Sequence, residues 1–330
     1  MYVPCCLSRT VSGLSGEKSN MKATQKVQTL RKRIDDALRP LITSDYHLLE
    51  VPYYSNVGDT LIWQGELDFL KTIPYQCKSM HSLETFRYKN ISEKDIILFQ
   101  GGGNFGDIWV RNHEFKMSVV KAYPNNRIIF FPQSVWFCDK KKLESCANDL
   151  RVLPNVTICA RDYRSYALLS EYFCNEILLV PDMAFYMDVS REGEVRDDGP
   201  EVVLLRKDVE YRPVSALDEL LARPDVMVSD WPVMENGGVH GLMLNILKRF
   251  AGNFPFFVDK YAEIFYKKRI MSSGIEFLRN AQHIYTTRLH GAILSLILGK
   301  DVTVFDNSYG KNSDFFYTWL SDCEMITMAG

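Results

Sequence analysis

The chain has 330 residues, 46% hydrophobic and 24% charged, with a net charge of −2. That length holds two domains of ordinary size or one large one, and the near-neutral balance argues against a nucleic-acid face or a polybasic membrane patch. Eight cysteines without a CxxC pair fit free thiols in a reducing compartment better than a disulfide frame or a zinc site. No run reaches the ~18 apolar residues of a membrane span. Residues 1–20 lack the basic-then-apolar order of a signal peptide and read as a disordered extension or an upstream start before Met21. A cytoplasmic protein is expected.

Val27, Leu30, Ile34, Leu38 and Leu41 recur at steps of three or four, which predicts a lead-in helix over residues 22–42. Residues 46–54 predict a strand, the polar turn 55–59 follows, and a helix runs from about Thr60 to Leu70. The same strand–loop–helix order repeats. Apolar strands at 95–100, 127–131, 156–160 and 177–180 each run into a polar or glycine-bearing loop. Near-continuous apolar strands alternating with helices indicate a parallel sheet covered on both faces. The charged, aperiodic stretch 190–200 marks a boundary. A second series then runs through strands at 201–205, 225–229, 255–258, 283–286 and 301–305, with helices around 242–251, 262–270 and 292–298 and a closing helix over 314–320. The expected fold is α/β, with two doubly wound Rossmann-like domains facing a cleft. The expected units are a lead-in to residue 40, one domain over 41–195 and another over 196–330.

Ligands of open parallel sheets bind beyond the carboxyl ends of the strands, so each loop there is a candidate. Gly101–Gly103 follow a strand directly, and Asn104 and the turn Phe105-Gly106-Asp107 come next. Glycines there allow positive φ and close backbone approach to a ligand, or simply a tight turn. Neither a GxGxxG fingerprint nor a P-loop is present, which disfavours a dinucleotide oxidoreductase. Asn56 and Asp59 lie in an equivalent loop, where helix capping is the bland alternative. Arg206 closes a strand and can fork onto a phosphate or carboxylate, or pair with Asp208. In Thr287-Arg288-Leu289-His290-Gly291, between a strand and a helix, the arginine and loop amides could meet an anion at a helix N-terminus. His290, with an ordinary pKa of ~6.5, suits proton transfer there. The loop 306–311, with Asn307 and Lys311, offers further donors, either for a phosphate or sugar pocket or as a plain polar loop. No histidine pair has zinc-motif spacing, so no metal is expected.

Taken in order, Asn56-Val57-Gly58-Asp59, Gly101-Gly102-Gly103-Asn104, Pro132-Gln133-Ser134, Ala160-Arg161-Asp162, Pro181-Asp182, Arg206 and Arg288-Leu289-His290-Gly291 resemble the polysaccharide pyruvyl transferase family over residues 50–311. The resemblance implies the two-domain arrangement called GT-B, phosphoenolpyruvate as donor with no further cofactor, and a pyruvate ketal on a sugar as product. It also implies service in capsule or exopolysaccharide synthesis on a sugar or lipid-linked oligosaccharide, the latter requiring peripheral contact with the inner membrane surface. The donor would be held by Arg206, Arg288, Leu289, His290, Gly291, Asn307 and Lys311, with His290 as general acid. The acceptor would lie near Asn56, Asp59, Gly102, Gly103, Asn104 and Asp107. A nucleotide-sugar glycosyltransferase of the same architecture and a non-catalytic assembly subunit are the rival readings.

Overall fold

A computed structural model describes residues 21–89, 91–189, 195, 198–208, 210–233 and 238–329. The expected disordered lead at residues 1–20 lies outside the described residues, as does most of the boundary stretch 190–200. The strands are β1 (Tyr46–Leu49), β2 (Cys77–His81), β3 (Ile96–Phe99), β4 (Gly102–Gly106), β5 (Ile128–Trp136), β6 (Val156–Ala160), β7 (Glu176–Leu179), β8 (Val202–Leu204), β9 (Met227–Ser229), β10 (Ile284–Thr286), β11 (Val302–Phe305) and β12 (Ile326–Ala329). The helices are α1 (Ala23–Leu38), α2 (Val57–Leu70), α3 (Val110–Ala122), α4 (Lys140–Arg151), α5 (Tyr163–Tyr172), α6 (Asp218–Leu221), α7 (Gly238–Lys248), α8 (Pro255–Tyr261), α9 (Lys267–Arg279), α10 (Leu289–Ile297) and α11 (Lys311–Trp319).

The fold is α/β with two parallel sheets. The first has seven strands in the order β2-β1-β3-β5-β6-β7, with β4 paired to β5, and the second has five in the order β12-β11-β10-β8-β9. Every pairing between named strands is parallel. Central strands such as β3 and β6 are buried along their whole length, which is why they read as unbroken apolar runs. Both sheets start at an inner strand, step outward once, then return and run the other way. The reversal falls between β1 and β3 in the first sheet and between β8 and β10 in the second. Such switch points open a crevice at the strand ends.

One apolar core joins the two sheets. It runs from Ala23 and Leu30 of α1 through Leu61 and Trp63 of α2 to Leu289 and Ile293 of α10 and Phe315 of α11. A second cluster covers the other face of the first sheet, and a small one around Val203, Leu217 and Phe305 covers the other face of the second. The lead-in helix is thus a working part of the core. A backbone bridge from Met21 to Cys323 ties it to the end of the chain.

One expected strand is wrong. Residues 255–258 begin helix α8, with Pro255 in its first turn, where a missing N–H costs nothing and φ is already helical. From Pro255 to Arg279 the chain stays helical, with a π-helical stretch over Ala262–Tyr266. The strand expected over residues 46–54 stops at Leu49, where Glu50 takes a φ of 71°.

Candidate functional site

Four loops meet where the two switch points face each other. From the first sheet come the loop after β1 and the glycine loop after β3; from the second come the loops after β8 and β10. Asn56 caps α2, its Oδ1 accepting from the Asp59 amide at 3.4 Å, while its Nδ2 donates to Asp59 Oδ2 at 2.8 Å. The Tyr54 hydroxyl donates to the same Oδ2 at 2.9 Å. The Asp59 carboxylate is therefore fixed in the first turn of α2, facing the cleft. Glu50, held in a left-handed conformation that costs a non-glycine residue energy, buries its carboxylate against Lys116 and accepts from Asn112 at 2.9 Å. Lys116, a donor only, also reaches Asn104 Oδ1 at 2.7 Å. Asn104 is locked by this contact.

In the glycine loop, the Gly101 amide donates to Glu66 Oε1 at 2.7 Å, and burial raises the pKa of that carboxyl well above the usual range. Gly102 has a φ of 132°, which a side chain would resist. At Gly103 a Cβ would lie 2.9 Å from Lys311 Nζ and 3.2 Å from Arg161 Nη2. The missing side chain leaves room for two cations, one from each sheet. Arg161 is fully buried; its Nε donates to Ser134 Oγ at 2.8 Å and its Nη1 to Asp182 Oδ2 at 2.7 Å, while Nη2 has no hydrogen-bond partner. Burial lowers the Lys311 pKa, with Glu210 opposing that shift and Arg161 and Arg206 adding to it.

The arginines after β8 and β10 are already paired. Arg206 donates through Nε to Asp208 at 2.8 Å and through Nη1 to Glu210 at 2.5 Å. Arg288 forks onto Asp230 through Nε and Nη2, the latter at 2.6 Å, and its Nη2 also lies 3.2 Å from Asp208. Asp208 thus bridges the two guanidinium groups. Burial would raise the Glu210 pKa, but Lys311 and Arg206 outweigh it and bring the group down to about 2. His290, in the first turn of α10, lies over Gly58, and its Nε2 faces Asp182 Oδ2 at 3.4 Å without hydrogen-bond alignment. Burial alone would raise the Asp182 pKa; His290 and Arg161 instead hold it well below the ordinary carboxylate range.

These loops, with Lys311 at the start of α11 after β11, enclose one cleft of about 410 Å³, lined by Asn56, Asp59, Gly103, Asn104, Arg206, Arg288, Leu289, His290 and Lys311 among others. Four expected residues lie outside it. Gly102 shapes the loop from behind. Asp107 accepts from the amides of Cys138 and Asp139 at 2.8 and 2.9 Å and lines a separate cavity of about 220 Å³. Gly291 lies in the first turn of α10 on its buried side, where a Cβ would strike Thr286 Oγ1 at 2.4 Å, and its amide donates to Arg288 O. Asn307 is buried, donating to Glu210 Oε2 at 3.1 Å and accepting from the Lys311 amide at 2.8 Å. It braces the site from beneath. Sequence reasoning gave no role to Arg161, Asp182, Glu210 or Asp230. Arg161 and Asp182 follow β6 and β7 just as Arg206 follows β8, so the rule that singled out Arg206 would have found them. Among the described residues no group of three or more His, Cys, Asp and Glu is placed to hold a metal ion.

The profile of polysaccharide pyruvyl transferases matches residues 56–309. The "Putative pyruvyl transferase EpsO" of Bacillus subtilis is 32% identical over 290 residues, covering 85% of each chain. "Pyruvyl transferase 1" of Schizosaccharomyces pombe is 29% identical, covering 84% of this chain and 70% of the yeast protein. A crystal structure of an uncharacterized Klebsiella pneumoniae protein, KP1_0663, superposes with a TM-score of 0.58 at 19% identity, covering 91% of this chain and 98% of that one. At that identity the likeness concerns the fold alone.

Proposed function

The chain belongs to the polysaccharide pyruvyl transferase family, and on that premise we propose that it moves the pyruvyl group of phosphoenolpyruvate onto two hydroxyls of a sugar, forming a cyclic ketal and releasing phosphate. The observation that carries this reading is the Arg161 Nη2 atom, buried without a hydrogen-bond partner beside Gly103 and Lys311 Nζ. A buried donor left unpaired is costly, and an anion bound over Gly103 would satisfy it together with Lys311. The phosphate of the donor fits that position. Its carboxylate fits the edge of Arg206 and Arg288 that Asp208, a partly exposed carboxylate, now occupies. Leu289 supplies an apolar wall there. The two sheets would then stand as the halves of a GT-B arrangement.

His290 is the general acid. Its proton goes to the methylene carbon of the donor and leaves an oxocarbenium-like centre at the carbon bearing the phosphate. Asp182 behind Nε2 holds the orientation of the ring, as a buried carboxylate does behind a catalytic histidine. Nδ1, over Gly58, is left for the cleft. A sugar hydroxyl adds to the cationic carbon and loses its proton, phosphate departs, and the second hydroxyl closes the ring. One donor and one diol give one ketal and one phosphate. Asp59 and Asn56 in the first turn of α2, with Asn104 opposite, are the polar groups placed for sugar hydroxyls. Incubation with phosphoenolpyruvate and a panel of sugars and lipid-linked oligosaccharides tests this. Expected are donor-dependent phosphate release and an acceptor mass gain of pyruvate less water. Binding of a nucleotide-sugar with no phosphate release would overturn it in favour of glycosyl transfer.

A further inference from the structure

Helices α7 and α8, with the π-helical stretch Ala262–Tyr266, form a hairpin on the second half of the molecule. On α7 the residues Val239, Leu242, Met243 and Ile246 recur at helical spacing, yet this apolar stripe faces outward, with Val239 78% exposed and Leu242 64% exposed. The inward face is carried by Leu244 and Leu247. The turn and α8 continue the same surface with Phe250, Phe254, Phe256 and Phe257, and Ile264 and Phe265 extend it along the π stretch. The ring of Phe257 meets those of Phe254 and Phe256, and Tyr261 packs on Phe265 and bonds to His240 of α7. Helices α7 and α8 pack on each other, so the exposed apolar residues of both are carried on one hairpin. Soluble surfaces rarely leave a large contiguous apolar patch without an interaction to serve.

Among the described residues of the hairpin and the first turn of α9, the exposed charges outside an ion pair are basic. Arg249 on the hairpin, and Lys268 and Arg269 in the first turn of α9 that follows it, are exposed. The hairpin's two acids are spent: Asp259 is buried against Tyr53 and His81, and Glu263 pairs with Lys260 at 3.0 Å. This local excess disappears in the overall net charge of −2. The hairpin is also anchored to the cleft. Tyr266 meets Ser55 at 2.9 Å, and Lys248 donates to the carbonyl of Tyr53. Exposed Tyr54 and Trp109 stand at the rim of the same cleft.

We infer that the α7–α8 hairpin is a docking surface for an anionic lipid bilayer, with its phenylalanines entering the interface and Arg249, Lys268 and Arg269 meeting the headgroups. An apolar helical face rimmed by basic residues binds membranes through both terms at once. A second copy of the chain fits less well, because a self-complementary contact would bring the same basic rims together with no free hairpin acid to pair them. Combined with the transfer reading, on which this last step rests, docking turns the mouth of the cleft toward an acceptor carried on a lipid.

Flotation of the full chain with extruded vesicles tests the surface without donor or acceptor, so its failure leaves the transfer reading standing. The chain should float with phosphatidylcholine vesicles containing phosphatidylglycerol at low salt, and less at high salt or with phosphatidylcholine alone. Phe256→Ser with Phe257→Ser should lower partitioning by about tenfold with an unchanged circular dichroism spectrum. Arg249→Glu with Lys268→Glu should abolish the preference for phosphatidylglycerol. If the phenylalanine variant fails to fold, Val239→Ser with Leu242→Ser on α7 replaces it. Absence of flotation by the parent chain, or variants that float like it, overturns the proposal. So does a parent dimer seen by light scattering that the serine variants dissolve while vesicles remain unbound.

Discussion

Gly58 and His290 share one space: a Cβ on residue 58 would lie 2.4 Å from Nδ1 of the imidazole. Gly58 is not in the left-handed region and sits inside the first turn of α2, so glycine is needed there for room. Alanine suits a helix better than glycine by about 1 kcal/mol, so Gly58→Ala should fold. The ring must then give way. Phosphate release from phosphoenolpyruvate should fall by about 10²-fold, within the range general acid catalysis supplies, while the thermal midpoint stays within a few degrees. A variant that turns over at the parental rate would remove His290 from the chemistry.

Asp182 lies between the His290 ring and the Arg161 guanidinium, and its folded pKa is depressed. A depressed carboxylate contributes stability that is complete above its unfolded pKa of ~3.9 and is lost as pH falls from there toward the lower folded value. Asp182→Asn should therefore lower the thermal midpoint at neutral pH, at a cost of about 3–5 kcal/mol for leaving Arg161 buried without its anion. Its midpoint should also fall less steeply than the parent's as the pH drops below about 4. Calorimetry across that range decides the matter; parallel curves for the two proteins would exclude the linkage.

The strands β3 and β6 and the first half of β5 were legible because each is buried on both faces and so is almost wholly apolar. β2 went unread because Cys77-Lys78-Ser79-Met80 is partly exposed at the sheet edge, where no apolar pattern is needed. β4 lay hidden in the glycine loop, whose composition signals a turn even though its backbone pairs with β5. The cleft was legible wherever a charged or glycine residue followed an apolar strand, as at Arg206, Gly103 and Arg288. The partners of those residues were not. Asp230 reaches Arg288 from 58 positions away, and no local pattern encodes such a pairing. Asp107 misled for a related reason: a carboxylate in a ligand-type loop can equally well tie down neighbouring amides, and here it holds those of Cys138 and Asp139.

Arg161 and Lys311 approach Gly103 from different sheets, and each has a separable role. Arg161→Lys keeps a cation near Asp182 but loses the unpartnered Nη2 and the fork geometry. Lys311→Met removes a buried charge whose partner Glu210 keeps Arg206. Both variants should raise the KM for phosphoenolpyruvate by about tenfold or more, in line with a lost charge-assisted hydrogen bond, and change kcat less. Lys311→Met should melt within a few degrees of the parent. A fall in kcat at unchanged KM would mean that these cations act in the transition state and do not hold the donor.

Asp208 offers the sharpest test of where the donor carboxylate binds. Its two oxygens take Nε and Nη2 of Arg206 at 2.8 and 3.1 Å, and the second also lies 3.2 Å from Nη2 of Arg288. Both arginines have deeper partners, Glu210 for one and Asp230 for the other, so among the described residues Asp208 is the one carboxylate shared by both. Arg206 and Arg288 lower its pKa against the effect of burial, so at neutral pH it is an anion in competition with any incoming one. Asp208→Asn removes the competing charge and leaves both deeper pairs intact. The donor KM should fall several-fold, as steady-state phosphate release or calorimetric titration would record, with only a small loss of thermal stability. A rise in KM would reverse the assignment: Asp208 would then be the group that aims the two arginines, and the donor carboxylate would bind elsewhere in the cleft.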